Sequence, residues 1–458
     1  MNTNEHNQIK ETENINMNNN DNTNENQKSY TSDTTSTNST QHDSKNQWER
    51  IKFAALTLLK WTLCAIISGF VVGGIGAGFA IALTYVTSFR ITHQWLLFLL
   101  PIGGLGIVGL YQLAGVKKSK GTNLVINAIH SNEEVPIYVA PLIIISTIIT
   151  HLFGGSAGRE GAALQVGGSI GNFFAKIFKF DDKDTRIMIM CGMSACFSAL
   201  FGTPIAAAIF SMEVISVGIM YYAALVPCVL AALIADGFAV YLGVSRAVYP
   251  IGSIPDLSFL SGSKMVLIGI LFAIVSIFFC LGLHTAAKLY NKFISNSYLK
   301  IVIAGFMIIA LRFIFQTTDY LGAGGDIIIA SFFTSCAWYV FILKIVFTAA
   351  TLGGGYKGGE IVPALFVGAT LGSFLAPIFG LPVGLCAACG MVSIFCGATN
   401  CPLTSLLMSI EMFGLAPVKY CLIAIAISYL LSGYYSLYGS QKIIYSKYKT
   451  QYINRNSH

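Results

Sequence analysis

Two short stretches carry ionisable residues between apolar runs. Gly158-Arg159-Glu160-Gly161 opens a glycine-rich segment. Glycine lets backbone N–H groups come close to a ligand. A helix starting there points its unpaired amides and the positive end of its dipole at the same place. That is the chemistry of an anion site. Gly158, Arg159 and Gly161 would line it. Glu160 would be an anion built into the chain, competing with a mobile one and released once a proton neutralises it. The plainer alternative is an Arg159–Glu160 ion pair in a loop.

The second stretch is Gly353-Gly354-Gly355-Tyr356-Lys357-Gly358-Gly359-Glu360-Ile361-Val362-Pro363. Pro363 suits a helix's first turn, where a missing N–H costs nothing. The amides of Glu360, Ile361 and Val362 would then face an anion. A charged Glu360 would repel it, so this carboxyl is expected to be protonated, paired with Lys357, or turned off the path. It serves coupling, the shape of the site, or only a hydrogen bond to nearby backbone. Gly121-Thr122-Asn123 opens a further short segment, with Thr122 and Asn123 as donors or simple helix caps.

The elements that hold these residues are apolar. Of 458 residues, 54% are hydrophobic and only 11% charged, and mean hydropathy is +0.67. A soluble chain carries about 25% charged residues. Apolar runs recur from Ile51 to Tyr438, continuous rather than alternating, which excludes a soluble enzyme, a disulfide scaffold and a β-barrel. An all-α polytopic membrane protein is expected. Several runs are shorter than the roughly 20 residues a span needs and end at glycine clusters, as broken helices lining a cavity do. The first run is far longer, as in a strongly tilted helix. The cysteines sit mostly in apolar runs as small hydrophobes, Cys386 and Cys389 included. His151 reads as a packing residue.

Residues 1–47 hold seven acidic and three basic residues, and 13 of the first 50 residues are Asn. A disordered polar tail is expected there, followed by half-repeats over 48–245 and 246–447 and a short polar tail over 448–458. Beyond residue 47 the chain has 14 acidic and 25 basic residues, an excess that fits cytoplasmic loops and not a nucleic-acid arm. The halves show as a repeat. GMSACFSALFGTPIAAAIFSMEV from Gly192 aligns with GMVSIFCGATNCPLTSLLMSIEM from Gly390, and GREGAALQVGGSIGNF from Gly158 aligns with GEIVPALFVGATLGSF from Gly359. The first pair shares Pro204/Pro402 and Glu213/Glu411, which small-residue helix packing does not explain. Transporters often consist of such halves, with the substrate site between them. Glu213 and Glu411 are expected to be helix-end partners, not proton carriers.

GREG at 158–161, GGExxP at 358–363, the Pro-to-Glu segments ending at Glu213 and Glu411, and a late tyrosine together resemble the chloride channel/transporter (CLC) superfamily over Trp48 to Lys447. The resemblance implies an inverted-repeat bundle of many tilted and broken helices. It also implies a homodimer with one anion pathway per subunit, no cofactor or metal, and no enzymatic activity. By the same resemblance Glu160 is the gating, proton-transferring residue. Tyr445 is the inner-gate tyrosine, chosen among Tyr434, Tyr435, Tyr438 and Tyr448. The departures point to one branch. Gly121-Thr122-Asn123 stands where the chloride-selective pattern has Gly-Ser-Gly. Val214 stands where proton-coupled chloride exchangers carry an inner carboxylate. Glu360 replaces an apolar residue. Together these resemble fluoride/proton antiporters, so the expected partners are fluoride, or chloride, and protons in a cell membrane. The alternatives are a chloride/proton exchanger or chloride channel of the same superfamily and, more remotely, a membrane sensor acting through the tail.

Overall fold

The computed structural model describes residues 37–116, 120–131, 133–246 and 248–457, with side chains from Gln47 onward. Of the expected tail, residues 1–36 lie outside the described residues. From Thr37 the chain is helical, which corrects the boundary at 47. A helix nucleated by an apolar run extends into polar sequence at one hydrogen bond per added residue. The chain divides at Leu56/Thr57 into two units. The described part of the first is helix, and the second holds every other element.

The helices are α1 Thr37–Thr92, α2 Leu100–Leu113, α3 Asn123–Ser131, α4 Val139–Leu152, α5 Glu160–Ile177, α6 Asp182–Phe201, α7 Pro204–Glu213, α8 Leu225–Tyr241, α9 Phe259–Phe293, α10 Ser297–Phe315, α11 Gly325–Ala330, α12 Val340–Gly353, α13 Ile361–Phe379, α14 Val383–Thr399, α15 Pro402–Phe413 and α16 Val418–Leu431. Seven helices among the described residues are long and apolar enough to cross a membrane, and six shorter ones are equally apolar. The fold is a polytopic helical bundle. One small sheet joins it: β1 Ser216–Val217, β2 Lys442–Tyr445 and β3 Tyr452–Asn456. β1 runs parallel to β2, and β3 antiparallel. The last residues are therefore not a free tail. Tyr452, Arg455 and Asn456 pair with Tyr445, Ile443 and Lys442 of β2, and the Ser457 hydroxyl donates to the Tyr438 carbonyl at 2.6 Å.

The repeat is inverted. Glu213 at the end of α7 accepts from the Leu403 and Thr404 amides that begin α15, at 3.0 and 2.8 Å, and from the Thr404 hydroxyl at 2.6 Å. Glu411 near the end of α15 accepts from the Ile205 and Ala206 amides that begin α7, both at 2.8 Å. Each carboxylate caps the other half's helix, so α7 and α15 lie antiparallel, and both glutamates are helix-end partners as expected. The repeated glycines have a packing reason. A Cβ on Gly167 would collide with the Gly192 carbonyl, and one on Gly368 with the Gly390 carbonyl. Helices α5 and α6, and α13 and α14, therefore touch backbone to backbone.

α4 and α2 connect two cavities. Leu97, just before α2, and His151, at the end of α4, line one of about 530 Å³. Tyr111 in α2 and Tyr138 at the start of α4 line another of about 200 Å³. Lys120 lines the second cavity, and Lys176 pairs with Glu134 in its lining. Arg90, Arg159 and Arg312 line the first.

Glu411→Ala would leave two helix-start amides unpaired against apolar surroundings, at a cost of about 1–3 kcal/mol. The melting temperature of purified protein in detergent should fall, while Glu411→Gln should recover part of the loss; equal stability of Ala and wild type would contradict the capping role.

Candidate functional site

The chain has to break inside the bundle because α4 and α12 stop at glycine turns and α5 and α13 begin again. The two restarts are pinned together. Gly158 and Gly359 form an isolated antiparallel bridge, each N–H donating to the other's carbonyl at 2.7 Å. The helix starts, Glu160 and Ile361, follow two residues later in each half. Both starts therefore point their unpaired amides into one small region. Gly359 lies over the amides of the opposite start. A Cβ there would meet the Gly161 nitrogen at 2.6 Å and the Glu160 nitrogen at 2.9 Å. Only a residue without a side chain lets the two halves approach this closely.

Glu160 is 1% exposed. Its Oε2 accepts from the Arg159 amide at 3.0 Å, and the Val362 amide is also turned toward the carboxylate. A Cβ on Gly158 would lie 2.8 Å from this oxygen and 3.1 Å from both Val362 Cβ and Pro363 Cδ. The side chain of the first half thus lies across the helix start of the second. The Arg159 guanidinium is 3.7 Å from Oε1 and donates to the Leu200 carbonyl at 3.0 Å. The ion pair and the anion-site arrangement therefore coexist. Oε1 has no hydrogen-bond partner among the described residues. Arg159, Glu160 and Val362 form the inner end of the 530 Å³ cavity.

Glu360 reaches the other way. Its Oε2 lies 3.0 Å, and Thr122 Oγ1 3.2 Å, from the point a Gly161 Cβ would occupy. Its second half therefore lies over the helix start of the first. That oxygen too has no hydrogen-bond partner among the described residues. Lys357 makes no ion pair with it within 4 Å. The ammonium sits 4.7 Å from the centre of the Tyr111 ring instead.

Thr122 and Asn123 do not cap their own helix with their side chains. The Thr122 hydroxyl donates to the Gly161 carbonyl at 3.3 Å, and Asn123 Oδ1 accepts from the Ser440 amide at 2.9 Å. The start of α3 is thereby tied both to α5 and to the loop after Tyr438. Glu160, Gly158, Arg159, Gly161, Thr122, Glu360, Ile361 and Val362 lie around the two helix starts. The Asn123 side chain turns instead to Ser440, and Tyr445 does not join them. It lies in β2, is 43% exposed, and its ring meets Tyr452. The tyrosine at the site is Tyr438, 1% exposed, within electrostatic reach of Glu360 and Glu160, with no partner for its hydroxyl among the described residues. Residues 442–445 alternate as a strand, which turns Tyr445 outward. The signal for Tyr438 was its place at the end of the last apolar run, before the polar Gly439-Ser440 turn.

His151 is buried and its Nδ1 is 3.0 Å from the Thr147 carbonyl, although it also lines the larger cavity. Cys386 and Cys389 are buried in α14, and Cys389 Sγ contacts Cys421 Sγ at 3.7 Å. No group of three metal-ligating side chains occurs among the described residues.

Inverted halves, broken helices and a central carboxylate between helix starts define a membrane transport protein of the repeat type. The chain belongs to the CLC family: the family model described as voltage gated chloride channel matches residues 103–433. It is 36% identical over 398 residues to the chloride/fluoride channel protein of Pseudomonas syringae pv. tomato, covering 85% of this chain and 88% of that one. It is also similar to the solved structure of a CLC-type fluoride/proton antiporter, with a TM-score of 0.81 and 33% identity over 84% of this chain and 98% of that one. A slow cyanobacterial Cl-/H+ antiporter shares the fold, with a TM-score of 0.70 and 21% identity over 81% of this chain and 94% of that one.

Gly359→Ala should separate the helix starts. Anion binding to the purified variant, read by calorimetry with fluoride and with chloride, should fall at least about tenfold, the equivalent of 1.4 kcal/mol; wild-type affinity would contradict the close-approach requirement.

Proposed function

We propose that the protein exports fluoride in exchange for protons, with Glu160 as the gate. The reading is carried by one observation: a buried carboxylate lies across the start of the opposite half's helix, in the lining of the 530 Å³ cavity. As a carboxylate, Glu160 fills the place where amides converge. Once protonated it loses that attraction, since only the charged form gains from the helix ends. It then yields the place to an incoming anion. One side chain thus answers to both ions, which couples their movements.

Fluoride is smaller and more strongly hydrated than chloride, so it needs many donors close together to replace its water. The helix-start amides of α5 and α13 and the Tyr438 hydroxyl supply them. Glu360, as the neutral acid, adds an O–H donor at Gly161. The similarity to a structure described as a fluoride/proton antiporter supports the same choice. A homodimer with one pathway in each subunit belongs to the same proposal.

Chloride transport, by exchange with protons or through a channel, is the second reading, favoured by the family model's description as a voltage gated chloride channel. Liposomes holding purified protein distinguish the two. Fluoride efflux should exceed chloride efflux by at least about a hundredfold, which corresponds to roughly 2.7 kcal/mol of discrimination. Comparable chloride flux would reject fluoride selectivity. A fluoride gradient should drive protons uphill in wild type, and Glu160→Gln should abolish that coupling. Full coupling in the variant would remove Glu160 from its role.

A further inference from the structure

Tyr438 lies in the irregular segment between α16 and β2, where neither a helix nor a strand sets the direction of a side chain. Its hydroxyl is buried and has no partner among the described residues. Such a donor serves an anion only if its place is fixed, because the groups of a site work when their neighbours hold them to within about 0.5 Å. The segment is accordingly pinned at successive residues. The Leu437 amide donates to the Ala398 carbonyl at 2.8 Å, and the Tyr438 amide to Ser436 Oγ at 3.2 Å. The Tyr438 carbonyl accepts twice, from the Gln441 amide at 3.0 Å and from the Ser457 hydroxyl at 2.6 Å.

Both of these last partners are anchored in turn. Gln441 is 0% exposed, yet every polar atom of its side chain has a partner. Nε2 donates to the Val214 carbonyl at 3.0 Å and to the Thr399 carbonyl at 2.8 Å, and Oε1 accepts from Asn400 Nδ2 at 2.9 Å. Val214 follows α7 in the first half, and Thr399 ends α14 in the second. One side chain thus fastens the Tyr438 loop to both halves. The β2–β3 hairpin brings Ser457 back to the same loop, where its amide donates to the Gln441 carbonyl at 2.9 Å. Lys447, between β2 and β3, fixes the hairpin to the end of α16. Its ammonium donates to the Tyr429 carbonyl at 2.9 Å, to Ser432 Oγ at 3.3 Å and to Asn400 Oδ1.

We infer that Gln441 and Ser457 are positioning residues for the Tyr438 hydroxyl, and that through it they set the preference for a small anion. The inference rests on the reading of that hydroxyl as a donor to the anion. A hydroxyl held in one place closes on a small ion and cannot follow a change in ion size. Released, it adapts to either ion, and the advantage of the smaller one falls.

Calorimetric titration of purified protein with fluoride and with chloride tests this. Ser457→Ala should weaken fluoride binding about fivefold, the scale of one hydrogen bond, with a smaller change for chloride. Ser457→Thr keeps the hydroxyl and should restore the affinity. In a Tyr438→Phe background Ser457→Ala should weaken fluoride binding no further, because residues that act through one group are not additive. Gln441→Met keeps the length of the side chain without its donors and should behave in the same way, with a larger loss; if it does not fold, the Ser457 variants decide. Wild-type fluoride affinity in Ser457→Ala, or an equal loss with and without the Tyr438 hydroxyl, would overturn the proposal. Wild-type fluoride affinity in Tyr438→Phe alone would reject the hydroxyl as a donor, before any Ser457 variant is compared.

Discussion

Two helix starts held head to head repel each other. Each carries roughly half a positive elementary charge, and the Gly158–Gly359 bridge fixes them at backbone contact. Water cannot relieve the repulsion in a buried site, so negative charge has to lie between them. The chain supplies it with Glu160, which reaches across to the opposite start, while Glu360 reaches the other way as a further acid. A site that demands negative charge, and holds it on a side chain able to take up a proton, is ready for exchange between an anion and a proton. The bridge creates that demand, and the glycines make the bridge sterically feasible.

The same logic settles how a membrane protein tolerates so many interrupted helices. Every break exposes amides and carbonyls that cannot be left unpaired in an apolar medium. The inverted repeat solves the problem by exchange between halves. Glu213 and Glu411 close the starts of each other's helices. Gln441 reaches back to the Val214 and Thr399 carbonyls at 3.0 and 2.8 Å. Away from the centre, then, breaks are closed by side chains and become inert. At the centre they are left open to an ion.

Much of this was legible in the sequence because it rests on residue types with few alternatives. A glutamate flanked by glycines in an apolar run, matched 201 positions later by another glycine-rich restart, has little structural use except at a break. The paired Pro and Glu spacing gave away the swapped caps. What stayed hidden depends on register in irregular segments. Tyr445 and Tyr438 are equivalent by composition, and only the pairing of β2 with β1 and β3 turns one out and leaves the other inside. The helical start at Thr37 and the pairing of β3 were missed for a related reason. Polar residues carry no periodic signal, so neighbouring structure decides their state. The side chain of Lys357 was a natural partner for Glu360 by spacing, yet the turn before α13 directs it onto Tyr111.

The repeat is symmetric in backbone and asymmetric in charge, and that asymmetry gives the site a direction. Helix α5 follows Arg159 and helix α13 follows Glu360, at equivalent positions before the two starts. One half thus places a cation beside the bridge where the other places a carboxyl. Arg159 joins Glu160 in the lining of the larger cavity, while Glu360 lies beside Gly161, whose carbonyl accepts from Gln165 in the lining of the smaller one. Had both positions held the same residue, the two faces would be electrostatically alike and neither ion would have a preferred side. With opposite charges there, one face presents a guanidinium beside a carboxylate and the other a carboxyl with a free oxygen. A two-fold fold therefore holds two electrostatically distinct faces, set by a single pair of residues that the repeat aligns and the chemistry distinguishes.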